Sequence, residues 1–212
     1  MNKKPLCVIT GASRGIGKSL ADIYLRKMDT LFIAESFDDE FFLEYKDNKN
    51  FYSIVCDFEK MSCVEILEKW FSENNFEVNY LVHNAGYLGT DAITDISYNL
   101  LHKSYMINVF SPVMITKMML AGRFFSKNSR ILFVTSSAGR HDKGGIFSGL
   151  SLYSSTKAAI SQFALNIKRE CETLYSNQGV YVARAYPGVC DTNMQKKLQK
   201  NVDAINALEA EF

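Results

Sequence analysis

The sequence predicts a doubly wound α/β fold with a parallel sheet. Short apolar runs alternate along the chain with longer amphipathic segments, which is typical of parallel strands joined by helical crossovers. The runs are apolar at nearly every position, as expected for strands whose two faces are both covered by helices. No internal repeat and no proline- or glycine-rich linker interrupts the chain, so residues 1–212 are expected to form one domain.

The predicted elements follow from these runs. Six strands are expected at residues 6–10, 31–34, 51–56, 80–83, 131–135 and 180–185. Apolar residues spaced three or four apart predict helices at residues 16–28, 61–72, 98–125 and 153–175. The same spacing predicts a residual C-terminal helix at about residues 193–211. Only 24 residues follow Gly188, so the C-terminus is expected to be short.

Composition and charge exclude several classes of function. The hydrophobic fraction is 47% and the charged fraction 22%, which are ordinary values for a globular protein. A formal net charge of +1 gives no basis for binding nucleic acid or an anionic membrane. The apolar stretch after Pro5 is too short for a signal peptide or a membrane span, so we expect a cytoplasmic protein.

The cysteines show no spacing typical of a metal or redox motif. The five are Cys7, Cys56, Cys63, Cys171 and Cys190, and no two form a CxxC pair. We therefore expect five free thiols in a reducing compartment, with no bound metal.

A glycine-rich segment, residues 10–17 (Thr-Gly-Ala-Ser-Arg-Gly-Ile-Gly), follows the first strand and opens the first helix. Glycines allow a sharp turn and a close approach of the backbone to a pyrophosphate, and a helix N-terminus offers free N–H groups. The alternative is a plain strand-to-helix turn. The spacing is Gly-x3-Gly-x-Gly, which differs from the commoner dinucleotide fingerprint.

Tyr153 and Lys157 are four residues apart in a predicted helix and therefore share one face. A neighbouring ammonium favours the phenolate and lowers the pKa of a tyrosine from its usual value of about 10. The pair predicts a proton donor that works near neutral pH. Taken alone, the same spacing is also that of an ordinary surface pair.

The glycine loop and the Tyr153–Lys157 pair together resemble the short-chain dehydrogenase/reductase family of Rossmann-type oxidoreductases, and the resemblance runs over nearly all of residues 5–194. Further matches follow the strands: Asp57, the turn His83-Asn84-Ala85-Gly86, Asn108, the segment Ser136-Ser137-Ala138-Gly139, and Pro187-Gly188 with Thr192. The family's turn begins with asparagine. His83 departs from that pattern, and we interpret it as a turn histidine rather than a base.

The resemblance implies hydride transfer between a nicotinamide cofactor and the carbonyl or alcohol carbon of a small molecule. Tyr153 would exchange the proton, Lys157 would lower its pKa and hold the nicotinamide ribose, Ser137 would orient the carbonyl, and Asn108 would bind a water of a proton relay. The residues expected to bind the cofactor are Gly11, Ser13, Arg14, Gly15, Ile16, Gly17, Glu35, Asp57, Asn84, Ala85, Gly86, Tyr153, Lys157, Pro187, Gly188 and Thr192.

The choice between NAD and NADP depends on two side chains. Glu35 ends the second strand, 18 residues after Gly17, where an acid can bind the ribose hydroxyls and would repel a 2′-phosphate. Arg14 lies inside the glycine loop, where a basic side chain could reach that phosphate. On balance the residues favour NAD, with NADP as the alternative.

Two questions about activity and assembly stay open at this stage. The segment Asp191-Thr192-Asn193-Met194-Gln195 is similar to the branch of benzil and sepiapterin reductases, which reduce activated ketones. A second possibility is a dinucleotide-binding signalling or regulatory protein with little turnover, similar to C-factor. The family resemblance also implies a homodimer through the helices that follow strands four and five.

Overall fold

The computed structural model describes residues 3–89, 92–140 and 148–200. It contains a sheet of six parallel strands in the order β3-β2-β1-β4-β5-β6. The strands are β1 (Lys4–Thr10), β2 (Asp29–Ala34), β3 (Phe51–Val55), β4 (Phe76–His83), β5 (Phe125–Val134) and β6 (Tyr181–Ala185). The strand order reverses between β1 and β4. In sheets of this kind, ligands bind at that reversal, beyond the carboxyl ends of the strands.

Helices connect the strands on both faces of the sheet. They are α1 (Gly15–Leu25), α2 (Asp39–Tyr45), α3 (Ser62–Glu73), α4 (Tyr98–Tyr105), α5 (Ser111–Ala121) and α6 (Ser151–Thr173). A further helix, α7, begins at residue 193 and is described as far as residue 200. The rest of the predicted C-terminal helix lies outside the described residues. The predicted doubly wound fold with six strands is confirmed.

The core consists of two apolar layers, one on each face. Alternate residues of β1 point to opposite faces, so Leu6 and Val8 lie in one layer while Cys7 and Ile9 lie in the other. The first layer is covered by α3, α5 and α6, and the second by α1 and α2. All four of these β1 side chains are fully buried, which explains why the strand reads as a continuous apolar run.

The long helix predicted at residues 98–125 is wrong as a single element. In the structure, α4 passes into a π-helical turn, Met106–Phe110, before α5 continues to Ala121, and β5 already begins at Phe125. Helical apolar spacing cannot reveal one extra residue in a turn, and Gly122 ends α5. The short helix α2 was not predicted because its seven residues are too few to establish a period.

The expectation of five free thiols is also wrong. Cys56, directly after β3, and Cys63, near the start of α3, form a disulfide with their Cα atoms 5.2 Å apart. Two tight turns between them, with bonds from Lys60 N to Asp57 O and from Cys63 N to Lys60 O, fold the segment back on itself. Sequence spacing gave no sign of this proximity. Cys7, Cys171 and Cys190 are free.

Candidate active site

The glycine loop joins β1 to α1 and is pinned to the end of β4. Gly11 and Gly15 have φ angles of +67° and +57°, a region that favours glycine. A Cβ on Gly17 would overlap the carbonyl oxygen of Gly11, so this position also requires glycine. The Asn84 side chain donates to the carbonyl oxygens of Thr10 and Gly11, both at 3.1 Å. The loop is therefore held tightly, with the N-terminus of α1 at its end.

The remaining predicted loop residues differ in exposure. Ser13 and Ile16 are half-buried, whereas Arg14 is exposed. Ala85 packs directly against the loop, because a Cβ on Gly11 would lie 2.8 Å from the Ala85 Cα atom. The turn after β4 thus places Asn84 and Ala85 against the glycine loop.

Two predicted acids lie at the carboxyl ends of neighbouring strands. Glu35 is exposed directly after β2. Asp57 lies shortly after β3, where its carboxylate pairs with the Lys60 ammonium at 2.9 Å and accepts a bond from the Glu59 N–H. The hydrogen bond with Lys60 outweighs the effect of burial and lowers the pKa of Asp57. Asp57 is therefore ionised at neutral pH.

Tyr153 is the third residue of α6, and its hydroxyl interacts with Ser136, which favours the phenolate. Ser137, which the sequence predicts to orient the substrate carbonyl, is exposed on the 3-10 turn Ser137–Gly139. Ser136 caps this turn by accepting a bond from the Ala138 N–H at 3.2 Å. Burial raises the pKa of Tyr153, and the bond with Ser136 offsets part of the rise.

Lys157 lies one turn further along α6 and is buried. Its ammonium donates to the carbonyl oxygen of Val134 at 3.1 Å and lies 5.8 Å from the centre of the Tyr153 ring. Burial lowers the pKa of Lys157 to about 8. The sequence predicted that this cation would depress the Tyr153 pKa, whereas in the structure burial of the phenol is the larger effect.

Asn108 occupies the middle of the π-helical turn and is almost fully buried. Its side-chain oxygen accepts from the Tyr87 N–H at 2.7 Å, and its amide nitrogen donates to the Tyr87 carbonyl and to Thr156 Oγ1, both at 2.9 Å. Thr156 in turn donates to the Tyr153 carbonyl oxygen. Asn108 thus connects the turn after β4 to the first turns of α6.

Gly86 brings the catalytic candidates together. A Cβ at this position would lie 3.3 Å from Lys157 Nζ and 3.5 Å from the Asn108 side-chain oxygen. The cleft is here the region bounded by the glycine loop, the end of β4 and the first turns of α6. Of the predicted catalytic residues, Lys157 and Asn108 lie beside Gly86, and Tyr153 lies next to Lys157. Ser136 interacts with the Tyr153 hydroxyl, and the role of Ser137 toward the substrate stays a prediction.

The loop after β6 closes one side of the cleft. Pro187 and Gly188 follow β6 after one intervening residue, Tyr186, and no atom lies within 4 Å of a Cβ placed on Gly188. The methyl group of Thr192 would lie 3.4 Å from a Cβ on Gly15. Thr192 also caps α7 by accepting from the Gln195 N–H. Residues 141–147 of the loop before α6 lie outside the described residues.

His83 does not act as an acid or base in this arrangement. It is buried at the end of β4, its Nε2 lies 2.9 Å from Thr116 Oγ1, and its ring stacks on Phe133. Burial lowers its pKa to about 3, so the ring is neutral at physiological pH. This agrees with its interpretation as a turn histidine.

Three residues that matter for the site were missed from the sequence: Ser136, Tyr87 and Thr156. Ser136 was visible in the Ser-Ser pair, but nothing in the sequence says which serine turns toward the tyrosine. Tyr87 follows Gly86 directly and could have been found by extending the turn by one residue. Thr156 precedes Lys157, and its role depends on the unpredicted π-helical turn.

The residues present fit a dinucleotide. The cradle requires glycine at three positions, faces the N-terminus of α1, and opens at the reversal in strand order, which suits a pyrophosphate. Asp57 and Glu35 would hold the adenosine end, and Lys157 lies where ribose hydroxyls would follow. No helix among the described residues is long and apolar enough to cross a membrane.

Comparison with known proteins agrees with this geometry. The family model described as short chain dehydrogenase matches residues 5–203. The oxidoreductase YIR035C of Saccharomyces cerevisiae is 31% identical over 199 residues, covering 92% of this chain and 74% of the yeast protein. Its crystal structure has a TM-score of 0.77 and 29% identity, covering 94% of this chain and 76% of the other.

Two further relatives have named activities. The NADP-dependent 3-hydroxy acid dehydrogenase of Schizosaccharomyces pombe is 33% identical over 175 residues, covering 77% of this chain and 64% of that protein. The benzil reductase IRC24 of S. cerevisiae is 30% identical over 210 residues, covering 92% and 75%. The chain belongs to the short-chain dehydrogenase family of NAD(P)-dependent oxidoreductases.

Proposed function

We propose that the protein reduces small-molecule ketones, or oxidises the matching alcohols, with Tyr153 as the proton donor and acceptor. The observation that supports this most directly is the half-buried Tyr153, whose hydroxyl interacts with Ser136 and whose ring centre lies 5.8 Å from the Lys157 ammonium. The cofactor supplies the hydride when bound. The chain's own residues position the carbonyl and move the proton.

Each side chain has a defined part in that proposal. Tyr153 gives its proton to the carbonyl oxygen, and the Ser136 hydroxyl stabilises the negative charge that develops there. Lys157 holds the ribose and stabilises the phenolate that Tyr153 becomes. Asn108 fixes the backbone at Tyr87 and the start of α6, which keeps these groups in register.

The assembled proton donor argues against the alternative of a regulatory protein that only binds a dinucleotide. Binding alone requires neither a tyrosine hydroxyl beside a serine nor a buried lysine next to that tyrosine. Desolvation of Lys157 costs free energy, as its lowered pKa shows. Such a cost is expected where the charge serves chemistry.

Two cofactors, NAD and NADP, are proposed as alternatives. Glu35 supports NAD because a carboxylate at the end of β2 repels a 2′-phosphate. Arg14, exposed in the glycine loop, and the NADP dependence in the name of the S. pombe relative support NADP. The ratio of kcat/KM for NADH to that for NADPH distinguishes the two.

A turnover assay with a matched variant tests the function. Benzil and related diketones are the first substrates to try, since a relative is named for that reduction. Wild-type protein should oxidise NADH or NADPH only when a ketone is present. Tyr153→Phe should bind the cofactor with unchanged affinity but lose roughly 10²–10⁴-fold in rate. Undiminished reduction by Tyr153→Phe would overturn the mechanism.

The protein is further proposed to form a homodimer through the helices after β4 and β5. Three large apolar side chains on these helices are exposed: Leu101 on α4, Phe110 just before α5, and Leu165 on α6. Exposed apolar residues on one face of a protein are common at subunit interfaces.

A further inference from the structure

We propose that Lys197, carried by α7, binds the pyrophosphate of the cofactor and so draws the C-terminal helix over the cleft. The proposal rests on the cofactor binding proposed above. It adds a ligand from a part of the chain to which the sequence assigned no binding residue beyond Thr192.

The position of Lys197 follows from two contacts of the C-terminal segment. Thr192 lies against Gly15, at the N-terminus of α1 where a pyrophosphate would bind. Five residues later, the Lys197 ammonium lies 5.9 Å from the centre of the Tyr87 ring. Five helical residues span about 7.5 Å. Lys197 is therefore within a side chain's reach of the glycine loop.

Tyr87 marks the other wall of the same cleft. It follows Gly86, which borders Lys157 and Asn108, and both its backbone groups are bonded to the Asn108 amide. Two lysines lie near the Tyr87 ring. The Lys103 ammonium of α4 is 5.2 Å from the ring centre, and the Lys197 ammonium of α7 is 5.9 Å from it. The two lysines and the ring thus link α4 and α7 across the path from glycine loop to active site.

The two lysines differ in what holds them. The Lys103 ammonium is paired with Glu59 at 3.2 Å, so its charge is largely neutralised. Lys197 has no carboxylate partner among residues 3–89, 92–140 and 148–200, and the ring is its contact there. A cation–π contact at an exposed site is weak, roughly 0.5–1 kcal/mol. Lys197 can therefore leave the ring for an anion at little cost.

The acids at the adenosine end make such a cation useful. Glu35, Asp57 and Glu59 already place carboxylates after β2 and β3. A bound dinucleotide would add at least two further negative charges to this region. The Lys60 and Lys103 ammonium groups already neutralise Asp57 and Glu59. The N-terminus of α1 supplies only about half a positive charge. An unpaired ammonium above the pyrophosphate supplies what the loop lacks.

Lys196 provides a matched control. It is the adjacent residue of α7, but its ammonium pairs with Asp191 at 3.2 Å, so its charge is already neutralised. Lys196→Gln and Lys197→Gln remove one charge each from the same helix. Lys197→Arg keeps the charge and should preserve binding.

The experiment measures dissociation constants of the full chain for NADH, NADPH, ADP-ribose and adenosine by calorimetry. Lys197→Gln should weaken the three pyrophosphate-containing ligands by about tenfold, as expected for loss of a charged hydrogen bond. Adenosine should be unaffected, Lys196→Gln should match the wild type, and Lys197→Arg should bind within about threefold of it. Unchanged melting temperatures would show that each variant is folded.

Three results would overturn the inference: binding by Lys197→Gln equal to that of the wild type, equal losses in Lys196→Gln, or a loss confined to NADPH, which would place the charge at the 2′-phosphate instead. Failure of the cofactor binding on which this inference rests looks different. In that case the wild type itself would bind none of the pyrophosphate-containing ligands.

Discussion

At Tyr153, burial and hydrogen bonding act on the phenol in opposite directions. Burial raises the pKa, and the bond with Ser136 offsets part of that rise. The phenol is therefore protonated at neutral pH, which is the form that can donate a proton in a reduction. A catalyst of the reverse reaction needs the phenolate, and the positive Lys157 nearby is the group that stabilises it.

The adjacent serines give a residue-scale prediction. Ser136 interacts with the Tyr153 hydroxyl and lowers its pKa, whereas Ser137 is exposed on the following turn. Ser136→Ala should lower kcat/KM by roughly 10²–10³-fold, because a donor to the developing oxyanion is lost. Ser137→Ala should change it by less than about threefold. Steady-state kinetics on the two variants checks the assignment, and the opposite ranking would restore Ser137 to the role predicted from sequence.

Lys157 gives a prediction about pH and stability. Its pKa is lowered to about 8 in the folded protein from an ordinary value of 10.5. Between those values the unfolded chain binds a proton that the folded chain does not, so the stability contributed by this group rises with pH. Below about pH 8 both states are protonated and the full penalty of burying the charge applies.

The measurement compares wild type with Lys157→Met by urea denaturation from pH 7 to 10. The difference in free energy of unfolding should shift by roughly 2–3 kcal/mol in favour of the wild type as pH rises. Because the other titrating groups are common to both proteins, their effects cancel. A difference that stays constant with pH would show that Lys157 keeps its ordinary pKa.

At the scale of elements, apolar periodicity was enough to find the strands and most helices. It failed where a single residue changes the geometry. The π-helical turn Met106–Phe110 inserts one residue into the long helix, and this turn places Asn108 against Tyr87 and Thr156. The same limit explains why the sequence did not show which of Ser136 and Ser137 faces Tyr153. Which of two adjacent side chains faces the helix depends on where β5 ends and the turn begins.

The connection from β3 to α3 gives an element-scale prediction. Cys56 and Cys63 form a disulfide across a separation of seven residues. A loop of this length should stabilise the fold by roughly 2 kcal/mol through the entropy of the unfolded chain. Dithiothreitol should therefore destabilise the wild type by about that amount and leave Cys63→Ala unaffected. Urea denaturation with and without the reductant measures both.

A thiol count provides an independent check of the same bond. Denatured, unreduced wild type should react with a thiol reagent at three cysteines: Cys7, Cys171 and Cys190. After reduction, all five should react. Five reactive thiols without reductant would contradict the disulfide and would favour the free thiols expected from the sequence.

For the whole molecule, the sheet order explains why residues distant in sequence form one site. Asp57, Asn84, Ser136 and Pro187 all follow parallel strands, so they meet at one edge of the sheet. These four residues could be placed at that edge from the sequence, because the carboxyl ends of parallel strands lie at the same edge of the sheet. The path of the C-terminal segment across the cleft could not, since it depends on contacts such as Thr192 with Gly15.

The proposed dimer is the prediction at this largest scale. Phe110 is 47% exposed beside α5, on the face of the sheet that α3, α5 and α6 cover. An apolar ring of this size gains free energy when a second copy of the chain covers it, and a charge there would have to be buried unpaired. Light scattering should give about twice the chain mass of 24.0 kDa for wild type and the monomer mass for Phe110→Glu.

Ile23 on α1 supplies the control for this variant. It is exposed to a similar extent, at 49%, but α1 covers the opposite face of the sheet. Ile23→Glu should therefore remain dimeric while adding the same charge to the surface. A dimer that survives Phe110→Glu would exclude this helix face as the interface. Loss of the dimer in both variants would attribute the effect to added charge rather than to the position of Phe110, because only one of the two side chains lies on the proposed surface.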